Sequence, residues 1–120
     1  MRKGPSCPKV RENVKVKEAL LAITRARSGS TCVVNERGIL AGIFTDGDLR
    51  RHLETDPHLL ERPVKAVMTK TPTVISKDHL ASEALRVLRE KRIDEIPVVD
   101  GHKKLIGLLD VQDLLKAGIV

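Results

Sequence analysis

The 120-residue sequence states one pattern twice, at an offset of 65 positions and without a gap. Glu18-Ala19-Leu20 returns as Glu83-Ala84-Leu85, Val33-Val34 as Val98-Val99, and Asp48-Leu49 as Asp113-Leu114. Leu40 and Gly42 return as Leu105 and Gly107, and apolar Ile23, Ile43 and Phe44 return as Leu88, Leu108 and Leu109. A unit of about 60 residues buries only about 60% of its unfolded surface and is marginal alone. The two copies are therefore expected to pack face to face, with any ligand in the cleft they share. They differ in chemistry at one telling place, where Thr45 faces Asp110 across the alignment.

Hydrophobic spacing supplies the elements. In the second copy Val74-Ile75 closes a short strand and Asp78 stands where an N-cap is wanted. Leu80, Ala84, Val87 and Leu88 then follow the i, i+4, i+7, i+8 stripe of a helix whose wet face carries Glu83, Arg86, Arg89 and Glu90. Ile96 to Val99 and Leu105 to Leu109 read as strands joined through Asp100-Gly101, and Asp110 to Lys116 as a last helix stopped by Gly118. In the first copy Val10 lies in the opening strand, and Asn13 caps a helix striped by Val16, Leu20 and Ile23. Cys32 to Val34 and Leu40 to Phe44 follow as strands, and Asp46 to Glu54 as a helix. Each copy is β-α-β-β-α, so the chain is α+β, with two repeats packed in pseudo-twofold symmetry. The first repeat spans 1–55, a connector with Pro57 and Pro63 spans 56–67, and the second repeat spans 68–120.

Several functions fall away. No apolar run approaches the ~18 residues of a membrane span, and no signal peptide opens the chain. Cys7 and Cys32 lack metal-ligand spacing and read as reduced thiols of a cytoplasmic protein. His52, His58, His79 and His102 form no i, i+4 pair, and Asp46, Asp48 and Asp56 lack the order of a calcium loop. The net charge of +6 reads either as a solvated surface, since 32% of residues are charged, or as suited to a small anionic ligand. Nucleic acid is a poor partner for it, because Phe44 is the only aromatic side chain available for stacking and no DNA-binding pattern appears. No catalytic residue, metal or required cofactor is assigned.

The chemistry gathers in Gly42-Ile43-Phe44-Thr45-Asp46-Gly47-Asp48, where a strand hands over to a helix. A strand glycine admits a second backbone or a ligand. Unpaired N–H groups at a helix start favour a phosphate, to which the Thr45 hydroxyl can donate. Asp48, one turn on, can accept from two ribose hydroxyls, each such bond contributing about 1.5–3 kcal/mol. The same Thr-x-x-Asp is also a capping box that satisfies only the helix itself. The local motif supports both readings equally, and the duplication tips the balance toward a ligand site. The second copy keeps Asp113 but places Asp110 where the hydroxyl stands, and a carboxylate there repels a phosphate. One competent site is expected, not two.

The duplicated unit resembles a tandem cystathionine-β-synthase (CBS) domain pair. The cues are Met68-Thr69 before Pro72-Thr73-Val74, then Ile96-Pro97-Val98-Val99-Asp100, and Gly42 through Asp48. More narrowly, Gly42 through Arg51 and the ending His102 to Val120 are similar to the C-terminal region of bacterial arabinose-5-phosphate isomerases, which open the pathway to the lipopolysaccharide sugar Kdo. That resemblance implies an upstream isomerase domain, and it makes Met1-Arg2-Lys3-Gly4-Pro5 the counterpart of Met68 to Pro72, so Met1 is expected to be internal to a longer protein. It also implies an effector nucleotide, either the pathway nucleotide sugar CMP-Kdo or an adenosine nucleotide. Thr45 and Asp48 would hold its phosphate and ribose, with Asp113 as a weaker counterpart. Base contacts would come from backbone near Val10 to Asn13 and from Thr31 to Val33. Arg50, Arg51 and Arg92 could meet an extra carboxylate, although singly each also reads as a solvated surface residue. A homodimer or larger disk is expected. The rival reading is a dimerisation scaffold with empty clefts. Cys32 in place of the proline seen at Pro97, and Asp110 in place of a hydroxyl, depart from the family pattern.

Overall fold

The strand glycines at the repeat positions explain the architecture. In a computed structural model, which describes residues 1–91 and 93–110, a Cβ added at Gly42 would lie 2.6 Å from the Thr69 carbonyl oxygen, and one at Gly107 2.5 Å from that of Arg2. Each glycine therefore lets a two-residue strand of the other repeat lie against its own sheet. Strands β1 (Arg2–Lys3), β2 (Lys9–Arg11), β3 (Ser30–Val34) and β4 (Leu40–Thr45) belong to the first repeat by sequence. β5 (Thr69–Lys70), β6 (Ile75–Ser76), β7 (Glu95–Val99) and β8 (Leu105–Asp110) belong to the second. The two four-stranded sheets run β2-β3-β4-β5 and β1-β8-β7-β6, so the repeats exchange their entry strands. β1 pairs antiparallel with β8, and β5 pairs antiparallel with β4.

Pseudo-twofold symmetry extends to details. β2–β3 and β6–β7 are parallel, while β3–β4 and β7–β8 are antiparallel, with a register shift at Val33/Val34 and again at Val98/Val99. The two hairpins also bond to each other reciprocally, Leu40 N–H to Lys103 O at 3.0 Å and Leu105 N–H to Gly38 O at 3.1 Å. The fold is the expected α+β, built from two such sheets and helices α1 (Val16–Ala26), α2 (Asp46–Leu53) and α3 (Leu80–Lys91). The expected helix beyond Asp110 lies outside the described residues.

Among the described residues, three apolar clusters hold the halves. Val16, Ala19 and Ile23, the buried face of α1, pack with Val33, Phe44, Leu59 and Val64. Ile75, Ala84, Val87, Ile96, Val98 and Leu109 form the second core, which the Met1 side chain also touches. Between the sheets, Cys7, Cys32, Ile43 and Leu108 make a third cluster, in which Ile43 and Leu108 are repeat counterparts.

One local expectation is corrected. Asn13 is not the cap of α1. That position is Lys15, whose side chain makes no capping bond, and the segment is held to the connector by Val64 N–H donating to Val14 O and Val16 N–H donating to Arg62 O. The connector is itself structured. It folds into 3-10 turns at Leu59–Glu61 and Val64–Ala66, which bury Leu59 and Val64 in the first core.

Candidate ligand site

At the end of β4 the chain stays extended through Thr45 and turns into α2 at Asp46. Both halves of the capping box are made, with Asp48 N–H donating to Thr45 Oγ1 and Thr45 N–H donating to Asp48 Oδ2, each at 3.0 Å. Asp46 N–H goes to Gly29 O at 3.0 Å. Gly47 N–H is left unclaimed among the described residues, and the Thr45 hydroxyl, which accepts from Asp48, still has its own proton to donate. Cap and anion site are thus not exclusive. The box presents an N–H and an O–H outward while it closes the helix start.

Asp48 is more fully engaged than its neighbour. Its side chain is 3% exposed, and the Thr69 hydroxyl, on the exchanged strand β5, donates to Oδ1 at 3.1 Å and Oδ2 at 3.2 Å. The Arg51 guanidinium is ion-paired to Oδ1. With the Thr45 N–H, three donors meet this carboxylate, the single Thr69 proton being shared between its two oxygens. Because the carboxylate is also buried, a ribose hydroxyl reaches Asp48 most directly by taking the place of Thr69 or Arg51.

The box opens on a cleft of about 540 Å³ between the repeats. Thr45, Asp46, Gly47 and Arg50 line one wall, Thr69, Thr71, Pro72 and Thr73 a second, and Gly29, Ser30, Ile93, Asp94 and Glu95 the floor where the repeats meet. At that floor Ser30 Oγ donates to Glu95 Oε1 at 2.8 Å. Burial pushes the Glu95 carboxyl above the usual glutamate range, opposed by the Ser30 bond and reinforced by nearby Asp110. The cleft thus has a helix start and Arg50 on one side and Asp94 and Glu95 on the other, with the Asp46 carboxylate, on the helix-start wall, opposing an anion unless it turns away.

Of the residues singled out in the sequence, Thr45 and Arg50 line this cleft, and Asp48 stands directly behind it. Thr31 does not line it. β3 is buried along its whole length, and the Thr31 hydroxyl contacts the Cys32 carbonyl at 3.3 Å. Arg51 is spent on Asp48. Arg11 to Asn13 border a separate groove with Asn35, Arg37 and Lys65, so base contacts from that stretch are not brought to Thr45. Arg92 and Asp113 lie outside the described residues. Reading the sequence missed Glu95 and Thr69. The signal for Glu95 was available, as the one charged residue in a strand of otherwise apolar residues, Glu95-Ile96-Pro97-Val98-Val99. Among the described residues no group of three or more His, Cys, Asp or Glu could hold a metal ion, and no helix is long and apolar enough to cross a membrane.

The CBS domain family model matches residues 1–55 and again 64–119. The chain belongs to the CBS domain family. CBS domains are regulatory units with no catalytic machinery of their own. The chain is 38% identical over 120 residues to arabinose 5-phosphate isomerase KdsD of Pseudomonas aeruginosa, matching the whole of this chain and 37% of that enzyme. It therefore spans about a third of the length of the curated relatives it matches, and the isomerase domain of those enzymes lies outside the matched segment. Among solved structures, CBSX2 in complex with AMP superposes with a TM-score of 0.84 at 24% identity, over 99% of this chain and 92% of that one. The cytosolic domain of the Mg2+ channel MgtE in complex with ATP superposes with a TM-score of 0.77 at 27% identity, over 96% of this chain and 46% of that one.

Proposed function

We propose that this CBS pair is the nucleotide-sensing regulatory part of an arabinose-5-phosphate isomerase, with one competent site in the Thr45 cleft. One observation carries the reading. The outward-facing donors of the Thr45 box open on a 540 Å³ cleft walled by both repeats, a volume within the roughly 300–1,000 Å³ of small-molecule sites. A phosphate takes the Gly47 N–H, the Thr45 hydroxyl and Arg50. The ribose takes Asp48 in exchange for the Thr69 hydroxyl. Because Thr69 sits on the strand that crosses between repeats, that exchange links occupancy of the cleft to the packing of one repeat on the other. The ligand then favours one arrangement of the module, and through it of an attached enzyme domain, by population shift.

The finer reading is an end-product sensor. In a parent enzyme that opens the Kdo pathway, as the sequence resemblance implies, a nucleotide sugar such as CMP-Kdo bound here would restrain the first step, in the cytoplasm. The adenosine nucleotides of the AMP- and ATP-bound neighbours are the other effector class. Exposed Leu21 on α1 and Leu53 on α2 offer apolar surface for pairing with a second copy.

Calorimetric titration with CMP-Kdo, CMP, AMP, ATP and S-adenosylmethionine tests the reading. Selective binding that Thr45→Ala abolishes supports a sensor, and the tightest ligand names its signal. The complete capping box and the engaged Asp48 carboxylate favour a second reading, a scaffold whose motif serves only the helix. Failure of every ligand to bind a folded module leaves the scaffold standing.

A further inference from the structure

Cys7 and Cys32 occupy the positions that Pro72 and Pro97 hold in the second repeat, and both of those prolines line the Thr45 cleft. By the pseudo-twofold relation, the two thiols stand where the twin of that cleft meets the inter-repeat core. They are free, buried, and packed together with Ile43 and Leu108. The backbone sets them side by side. Cys7 N–H closes the Gly4–Ser6 turn on Gly4 O at 3.1 Å, and Cys32 N–H donates to Pro8 O, the carbonyl next to Cys7, at 3.0 Å. Lys9, the residue after Pro8, is in register with Cys32 in the parallel β2–β3 pair.

A bland alternative is that each cysteine is only a small apolar filler. Filler cysteines need not meet, whereas these two share one cluster and the backbone bonds Cys32 N–H to the carbonyl beside Cys7. The contact also biases them in opposite directions: the Cys32 thiol is pushed up by its neighbour and by burial, while the Cys32 hydrogen bond draws Cys7 below the ordinary thiol value against its own burial, with Lys9 and Arg2 adding to the lowering. Cys7 is then the more reactive sulfur, and Cys32 stands where it can resolve an oxidised Cys7.

We infer that Cys7 and Cys32 form a reversible oxidation site, closed to a disulfide by a hydroperoxide. The Cys7 thiolate attacks one peroxide oxygen, so the S–O bond forms as the O–O bond breaks and hydroxide leaves to be protonated. Cys32 sulfur then attacks the Cys7 sulfenic acid. The S–S bond forms, the S–O bond breaks, and the departing hydroxide takes the Cys32 proton as water. Hydrogen peroxide is reduced to two waters and the two thiols are oxidised. The bridge ties the segment between the exchanged strand β1 and strand β2 to β3, and so fixes how the first repeat hands its entry strand to the second.

The test is hydrogen peroxide treatment of the folded chain, followed by intact mass and peptide mapping. The expected result is loss of two hydrogen atoms, a Cys7–Cys32 linked peptide, full reversal by a phosphine, and a higher urea midpoint for the oxidised form. Cys32→Ser should accumulate a Cys7 sulfenic acid that dimedone traps, and Cys7→Ser should react far more slowly at Cys32. A folded protein that yields no such linked peptide, or yields only intermolecular disulfides, overturns the inference. So does a bridge that forms only after urea unfolding. Circular dichroism of each serine variant separates these outcomes from misfolding.

Discussion

Ser30 and Glu95 are the same position in the two repeats, and they hydrogen-bond to each other at 2.8 Å where the repeats meet. Such self-contact is what a residue near a pseudo-twofold axis must do. Duplication would first have put identical side chains there, and the present pair is a hydroxyl donor facing a carboxylate acceptor. Gly29 beside them leaves room for it, since a Cβ there would lie 3.0 Å from Glu95 Oε1. The contact joins β3 to β7, the central strands of separate sheets, at the floor of the cleft.

The first prediction concerns pH. Glu95 is raised by burial, so the folded state holds its proton more tightly than the unfolded chain does. Its stabilising contribution is complete below the unfolded glutamate value of about 4.3 and is lost as pH rises through the higher folded value. Glu95→Gln keeps an acceptor for Ser30 and removes the charge. Thermal melts across pH should show the variant more stable than the parent at neutral pH, with the gap closing in acid. A constant gap at every pH would mean that Glu95 ionises as it does in the unfolded chain.

The capping box and its Thr69 contact give a second prediction. Thr45→Ala should lower the stability of the module by about 1 kcal/mol in urea titrations, and Thr45→Ser should restore most of it. Asp48→Asn should cost about 1–3 kcal/mol, because the amide cannot accept at both positions and leaves a donor unpaired. Thr69→Val separates structure from binding. It removes the hydroxyl that competes for Asp48, so nucleotide affinity should rise in calorimetry even as stability falls. Affinity that drops with stability would mean that the ribose does not displace Thr69.

The connector supplies a third. Leu59 is 1% exposed inside the first core, whereas the adjacent Leu60 is 41% exposed. Leu59→Ala should cost about 2–5 kcal/mol. Leu60→Ala should stay within roughly 0.5 kcal/mol, as surface changes do. Urea unfolding of the two variants measures both, and equal effects would remove the connector from the core.

The repeat and its periodicity made the α1, β3, β4 and α2 elements legible, because each carries a stripe or an alternation long enough to read. The exchanged strands were not. Arg2–Lys3 and Thr69–Lys70 are two residues long and polar, and they acquire strand geometry only from the glycine-edged partner across the interface. Gly42 pointed to a close approach without saying whether backbone or ligand made it, and the Thr69 carbonyl is the answer. The Thr45–Asp48 motif was legible as a cap or a ligand site, and the geometry allows both. Thr31 misled because a β-branched hydroxyl in a strand shows nothing of which face is covered. Glu95 escaped notice because its partner lies a full repeat away, and only alignment of the two copies puts Ser30 opposite it.

The exchange itself gives the last prediction. Gly42→Ala puts a methyl 2.6 Å from the Thr69 carbonyl oxygen, and Gly107→Ala puts one 2.5 Å from the Arg2 carbonyl oxygen. Neither obstacle is a flexible side-chain end, so backbone must shift, and overpacking of this kind costs about 1–3 kcal/mol. Gly101→Ala is the control. Nothing lies within 4 Å of its added Cβ, and its effect should stay within about 0.5 kcal/mol. Hydrogen exchange adds the location. Gly42→Ala should speed exchange along β4 and β5, and Gly107→Ala along β8 and β1, each leaving the other sheet slower. A Gly42→Ala protein as stable as the control would mean that β5 does not pair with β4, and the link from Thr69 to Asp48 would fall with it.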